Sequence, residues 1–157
     1  MQKIIRIGTV IGTCLAVGYV SSIVTRENIP IWYEPLKKPF FNPPNIIFAP
    51  VWTLLYILMG YAGGRVWNLL ETQTQAVKSA FVFFLIQLIL NAFWSLLFFG
   101  LHNPMLAFFE MLLLWAMIYE TYTQFKKIDT IAGYLFVPYL VWVSYATLLT
   151  ASIWYLN

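Results

Sequence analysis

Five long apolar runs, each nearly free of charged residues, constrain the fold of this chain more than any other feature. They lie at about residues 4–25, 43–65, 79–101, 104–125 and 131–155. A spanning helix needs about 20 apolar residues, and lipid offers the backbone no water, so only helices and closed barrels cross it. Unbroken runs of this length favour helices over barrel strands. The sequence therefore predicts an all-α integral membrane protein, a five-transmembrane-helix bundle forming a single domain over residues 1–157.

The charge content agrees with this prediction and excludes several classes of protein. Charged residues make up 10% of the chain, whereas a soluble domain has about 25%. The nine Lys and Arg residues are scattered at segment ends, which argues against nucleic acid as a partner. One histidine, His102, and one cysteine, Cys14, cannot form an internal disulfide or an ordinary His/Cys metal site, so we expect no metal.

An odd number of spans places the two termini on opposite sides of the membrane. The N-terminus, a polar linker at 65–78 and the turn at 126–130 then share one side, which carries six cations, while the other side carries three. Cytoplasmic segments carry an excess of Lys and Arg. We therefore expect a cytoplasmic N-terminus, with the proline-rich first loop, residues 25–42, on the opposite side.

Prolines add detail to two of the predicted helices. The second helix is expected to start near Pro43 or Pro44, where proline suits a first turn. Pro50 then lies inside the second span and Pro138 inside the fifth. A kink at Pro50 is tolerated in a membrane helix if neighbouring groups bond the freed carbonyl.

Small residues form two smooth helix faces. Gly8, Gly12 and Ala16 share a face of the first helix, and Gly60 and Gly64 share a face of the second. Such faces let helices approach closely in lipid. The pattern is compatible with packing inside one molecule and with contact to a second copy, so both faces are candidate dimer interfaces.

Aromatic residues make up 19% of the chain, and not all of them suit an interfacial belt. Trp52, Trp94, Trp115 and Trp142 lie inside the spans. Three helix faces combine rings with small or hydrogen-bonding groups: Phe48, Trp52 and Tyr56; Asn91, Trp94, Ser95 and Phe98; and Pro138, Trp142, Tyr145 and Ala146. Such faces are typical of a pocket for a flat, mostly apolar ligand, although simple aromatic packing accounts for the same pattern.

The segment from Trp32 to Tyr56 leads from a rigid polar loop into one of these faces. It holds five prolines and the pair Lys37 and Lys38. We expect the loop to cover the mouth of the pocket, where the two lysines would bind a ligand's carboxylates. Glu110 lies inside the fourth span, and we expect it to make a hydrogen bond between helices, with a role in a polar path as the alternative.

Three motifs resemble those of one protein family. WYEPLKKPFFNPPNIIFAPVWTLLYILMG, residues 32–60, resembles the first-loop and second-helix signature of the TspO/MBR family, which comprises translocator proteins and tryptophan-rich sensory proteins. LNAFWSLLFF, residues 90–99, and PYLVWVSYATLL, residues 138–149, are similar to its third-helix and fifth-helix motifs. With the five spans, the resemblance covers nearly the whole chain.

The resemblance implies a five-helix bundle, commonly a homodimer, in the bacterial cell membrane for a bacterial-type member. It implies a porphyrin such as protoporphyrin IX as the ligand and no required cofactor. Carried over by motif, the ligand-binding residues are Tyr33, Pro44, Trp52, Asn91, Trp94, Ser95, Trp142 and Ala146, joined by Phe48 and Tyr56 from the helix faces. No cation follows Lys127, so the C-terminal sterol motif of animal members is absent.

Three functions follow as hypotheses from this resemblance. The first is a receptor or binding protein for porphyrin-type tetrapyrroles, involved in tetrapyrrole regulation or stress. The second is an enzyme that degrades protoporphyrin in light, with Trp52 and Trp142 as candidate catalytic residues. The third is a porphyrin or sterol transporter, against which the absence of a visible inverted repeat counts.

Overall fold

The structure, a computed structural model, describes residues 1–157 as a bundle of helices without strands. The helices are α1 (Gln2–Asn28), α2 (Phe48–Trp67), α3 (Thr74–Ser95), α4 (Pro104–Ile128), α5 (Thr130–Tyr134) and α6 (Val137–Leu156). Five helical segments, the last formed by α5 and α6 together, are long and apolar enough to cross a membrane. The predicted all-α membrane fold is confirmed.

The first and third spans are longer than their apolar runs. A π-helical turn, Ile29–Tyr33, continues α1, and another, Leu96–Gly100, continues α3. The first loop therefore begins after Tyr33 and not at residue 25. The Thr25 hydroxyl explains part of the extension, because it bonds the Ser21 carbonyl (3.2 Å) and lies 3.1 Å from the Ser95 hydroxyl. Polar residues at this helix end are thus bonded within the bundle.

Pro50 lies in the first turn of the second helix, so the expectation that it lies in the interior of that helix is wrong. Pro44 has an extended backbone (ψ 142°), and a 3₁₀ turn over Asn45–Ile47 precedes α2. Pro50 is consequently in the first turn of α2, where its missing N–H costs no helical bond. Pro138 occupies the first turn of α6, after a break that separates α5 from α6.

Ion pairs join the segments at one end of the bundle. Arg6 Nη2 lies 2.8 Å from Glu71 Oε1, which ties the start of α1 to the linker between α2 and α3. Arg65 Nη2 lies 2.9 Å from Asp129 Oδ2, which ties the end of α2 to the turn before α5. The N-terminus, the linker and this turn therefore share one end, as an up-and-down bundle of five spans requires.

The proline-rich loop is tied to the opposite end. The Lys37 backbone N–H donates to Asn157 Oδ1 (3.0 Å), and Asn157 Nδ2 donates to the Lys37 carbonyl (2.9 Å). Trp32 stacks on His102 with ring centroids 4.8 Å apart and an interplanar angle of 10°. His102 Nε2 also lies 2.9 Å from Asn28 Oδ1. These contacts hold the loop over the ends of α1, α3 and α6.

Only one of the two small-residue faces packs inside the molecule. A Cβ added at Gly60 or Gly64 would overlap the backbone of Ile11 or Ile7, respectively, so α1 and α2 touch along this face. A Cβ at Gly12 meets no atom within 4 Å, and the same holds for Gly8. Glycine at 64 is therefore required by close helix contact, whereas the face of α1 that carries Gly12 is open.

Gly64→Ala is expected to destabilise the folded protein, because its methyl group would force α1 and α2 apart. Overpacking of this kind costs about 1–3 kcal/mol, and it acts against the gain of about 1 kcal/mol in helix propensity. Gly12→Ala is the matched control, since it gains the same propensity without a clash. Thermal unfolding in detergent should place Gly64→Ala below Gly12→Ala, and equal unfolding midpoints would refute the close contact.

Candidate functional site

A cavity of about 560 Å³ opens in the half of the bundle nearest the proline-rich loop. Its walls come from the second half of α1, the first half of α2, the end of α3 and its π-helical turn, and α6 from Trp142 to Ile153. Most of the lining residues are hydrophobic. Small-molecule sites have volumes of about 300–1,000 Å³ and mostly apolar walls with a few polar groups. The cavity therefore has the size and character of a site for an organic ligand.

The structure brings together most of the residues predicted for such a site. The lining includes residues from the π-helical turn after α1 and from α2, α3 and α6: Tyr33, Phe48, Trp52, Tyr56, Asn91, Trp94, Ser95, Trp142 and Ala146. Three sequence segments far apart in the chain thus converge on one space. Whether these side chains bind a ligand stays a prediction.

Three predicted residues do not line the cavity. Lys38 Nζ donates to the carbonyls of Glu34 (2.9 Å) and Leu36 (3.1 Å) and lies 4.7 Å from the centroid of the Tyr33 ring. Lys37 is exposed and paired through its backbone with the C-terminal residue. Pro44 is exposed beside Asn45, which does line the cavity. The structure thus gives no support to carboxylate binding by the lysine pair.

Tryptophan side chains from three helices provide much of the aromatic surface. Trp94 stacks on Phe98, with centroids 5.2 Å apart at 14°. Trp142 meets the Phe48 ring edge-on at 6.1 Å and 73°. The indole Nε1 atoms of Trp94 and Trp142 are buried and have no hydrogen-bond partner. A buried indole N–H usually finds an acceptor, so these two donors are exceptions to the usual pattern.

A chain of hydrogen bonds joins the three helices that carry the tryptophans. The Tyr56 hydroxyl on α2 donates to Asn91 Oδ1 on α3 through a short bond. Asn91 Nδ2 in turn donates to the Tyr139 hydroxyl on α6 (2.6 Å). Asn91 is 5% exposed and Tyr139 is 1% exposed. The Trp52 ring lies 6.2 Å from the Tyr139 ring, so this chain also supports one wall of the cavity.

Sequence patterns did not point to the wall formed by α1. That wall combines aliphatic, aromatic, hydroxyl and cationic side chains, which include Leu15, Gly18, Tyr19, Ser22, Thr25 and Arg26. Their spacing of three and four residues marks one helix face. This periodicity is present in the sequence. It continues past residue 25, however, where the charged residues predict the start of the first loop.

Glu110 does not make the predicted hydrogen bond between helices. Both of its carboxylate oxygens are buried on α4 and have no hydrogen-bond partner. Glu110 is also absent from the cavity lining. The prediction is therefore wrong on this point, and no role in the site follows for this residue.

Asn91→Leu is expected to lower stability by about 1–3 kcal/mol, because it leaves the Tyr56 and Tyr139 hydroxyls buried without their partner. The triple variant Asn91→Leu, Tyr56→Phe, Tyr139→Phe removes all three polar groups and should regain much of this loss. Thermal unfolding of the purified variants measures both effects. A triple variant less stable than Asn91→Leu would show that the unpaired hydroxyls are not the cause.

Known proteins are similar to this chain in sequence over most of its length. A model of the TspO/MBR family matches residues 10–156. The chain is 40% identical over 156 residues to the tryptophan-rich protein TspO of Chlorobaculum tepidum, which covers 99% of this chain and 98% of that protein. It is 39% identical over 116 residues to a tryptophan-rich sensory protein of Cereibacter sphaeroides (74% of this chain, 70% of that protein).

More distant relatives extend to animals. The chain is 32% identical over 123 residues to the translocator protein of Homo sapiens, which covers 78% of this chain and 73% of that protein. The family match spans more than nine-tenths of the chain and includes all three motifs that surround the cavity. The chain therefore belongs to the TspO/MBR family of multi-pass integral membrane proteins.

Proposed function

We propose that this protein binds porphyrin-type tetrapyrroles, such as protoporphyrin IX, and related flat apolar molecules in the cavity. In this proposal it acts as a membrane receptor in tetrapyrrole regulation or in a stress response. The observation that carries the proposal is the convergence of Trp52, Trp94 and Trp142, from three different helices, on one apolar space.

The chemistry of the cavity supports a flat aromatic ligand. Indole rings offer large faces for stacking, and an aromatic pair contributes about 0.5–1.5 kcal/mol beyond the burial of its area. A relative is named a tryptophan-rich sensory protein, and a sensory role is compatible with binding without turnover.

Trp142→Ala is expected to weaken protoporphyrin IX binding by about 2- to 12-fold, which corresponds to the loss of one stacking contact. A titration of the purified protein in the dark, followed by the porphyrin Soret band, measures the dissociation constant. Trp154→Ala is the matched control, because Trp154 lies on α6 outside the cavity and packs against Phe108, with ring centroids 5.7 Å apart. Equal dissociation constants for the two variants would contradict the proposal that the porphyrin binds in this cavity.

Light-dependent breakdown of the bound porphyrin is a second candidate function. Trp52 and Trp142 both line the cavity, so an excited porphyrin held there would lie beside indoles that can donate an electron, with dissolved oxygen as the oxidant. The chemistry would belong to the ligand and light, while the protein supplies position. Illumination of the same titration samples tests this candidate. Loss of the Soret band at equal rates with and without protein would exclude it.

We also propose that the N-terminus lies in the cytoplasm of a bacterial cell, because its end of the bundle carries six of the nine cations. Lys37→Cys in a Cys14→Ala background should then react with a membrane-impermeant maleimide added to intact cells. Lys127→Cys, at the opposite end, should react only after the cells are permeabilised. The reverse pattern would invert the orientation.

The open face of α1 is the dimer contact that we propose for this protein. Gly8 and Gly12 have free space above their Cα atoms, whereas Gly60 and Gly64 are occupied by contacts within the molecule. Because Gly12→Ala would crowd this contact, the stability comparison of Gly64→Ala with Gly12→Ala is made on the monomer fraction. Light scattering of detergent-solubilised protein should give a dimer for the parent chain, and a monomer would exclude this proposal.

A further inference from the structure

One charged side chain, Arg26, lines the cavity. It lies in the last turns of α1, one helical turn after Ser22, on the face that forms the α1 wall. The other lining residues are apolar, aromatic or neutral and polar. A single cation at the edge of such a space gives the cavity a charged side and an apolar side.

The guanidinium of Arg26 has most of its donors free. Its Nε donates to the Ser22 carbonyl at 3.3 Å, and its Cζ lies 5.7 Å from the centroid of the Tyr19 ring. Neither Nη atom makes a hydrogen bond, and Arg26 is in no ion pair, although Glu27 is its neighbour in sequence. The other two arginines, Arg6 and Arg65, are paired with acids.

Physical chemistry favours an anion as the partner of such a group. Arg26 is exposed and lies near the end of its span, so its charge is accessible to a partner of opposite charge. The planar guanidinium presents parallel N–H groups that match a carboxylate in a two-bond arrangement. The two free Nη groups of Arg26, which lies beside the Tyr19 ring, can make this two-bond contact with a carboxylate.

We infer that Arg26 binds an acidic group at the edge of the ligand, so that the cavity selects flat apolar molecules that carry a carboxylate. This inference rests on the proposed porphyrin-binding function and names the part of the ligand that α1 recognises. It replaces the lysine pair of the loop, since Lys38 Nζ is bonded to backbone carbonyls and Lys37 does not line the cavity.

The test compares protoporphyrin IX, which has two carboxylates, with its dimethyl ester, which has none. Both compounds are titrated at pH 7.5 into the full-length protein in a lipid-free, non-ionic detergent. Arg26→Gln is expected to weaken binding of the acid about tenfold, or about 1.4 kcal/mol, and to leave binding of the ester unchanged. Lys127→Gln, which removes an exposed cation from the opposite end, is the matched control and should change neither. Thermal unfolding verifies that each variant is folded.

The possible outcomes separate the inference from the function on which it rests. If the parent protein binds neither compound, the porphyrin-binding proposal and the inference both fail. If it binds both and Arg26→Gln weakens them equally or not at all, the inference alone fails. If Lys37→Gln or Lys38→Gln weakens binding of the acid but not of the ester, and Arg26→Gln does not, the loop lysines and not Arg26 bind the carboxylate.

A lipid phosphate is an anion that Arg26 could bind in the same way as a ligand carboxylate. Titrations with and without anionic lipid distinguish the two partners. The same titrations are repeated in nanodiscs that contain phosphatidylglycerol. If Arg26→Gln affects porphyrin affinity only in these anionic nanodiscs, Arg26 contacts the lipid headgroup and the inference is overturned. The same selective loss in lipid-free detergent supports it.

Discussion

The cavity depends on one asparagine that holds three helices together. Asn91 accepts a hydrogen bond from Tyr56 and donates one to Tyr139, so a single side chain on α3 joins α2 and α6. In lipid, helices gain little from the hydrophobic effect when they associate, and packing and polar contacts determine their arrangement. The three linked helices are those that carry Trp52, Trp94 and Trp142, so the same bonds that stabilise the bundle also position the aromatic surface.

The fourth wall is positioned by a different kind of contact. Glycines on α2 allow α1 to approach until the two backbones touch, which brings the hydroxyl and cationic face of α1 to the cavity. The loop above is tied down by Asn157 and by the stacked rings of Trp32 and His102. A site with aromatic rings on three helices and an arginine on the fourth suits a ligand that is flat, largely apolar and acidic at one edge.

Much of this architecture could be predicted because the lipid environment restricts the possible folds. The spans follow from run length, and the cavity faces of α2, α3 and α6 follow from residues spaced by three and four, such as Trp52 and Tyr56 or Asn91 and Trp94. Aromatic rings far from the membrane interface, with polar groups on the same face, marked the faces that meet. The family motifs lie on these same three helices.

The parts that could not be predicted depend on contacts between distant residues. The sequence predicts too early an end for α1 because Thr25 and Arg26 resemble loop residues, and nothing local shows the contact of Thr25 with Ser95, 70 positions away. The loop lysines were placed over the mouth because nothing local shows that Lys37 pairs with Asn157, 120 positions away. Pro50 is expected inside the second helix, but a short 3₁₀ turn delays the start of α2 and leaves Pro50 in its first turn.

The central claim, that a flat apolar ligand occupies the space between α1, α2, α3 and α6, is tested most directly by photo-crosslinking. A protoporphyrin derivative with a diazirine group can be bound, activated with light, and located by mass spectrometry of peptides. We expect labelled residues on these four helices, near Trp52, Trp94, Trp142 and Ser22, and competition by unmodified protoporphyrin IX. Labelling confined to lipid-facing residues of α4, such as Leu112 and Leu113, would contradict the account.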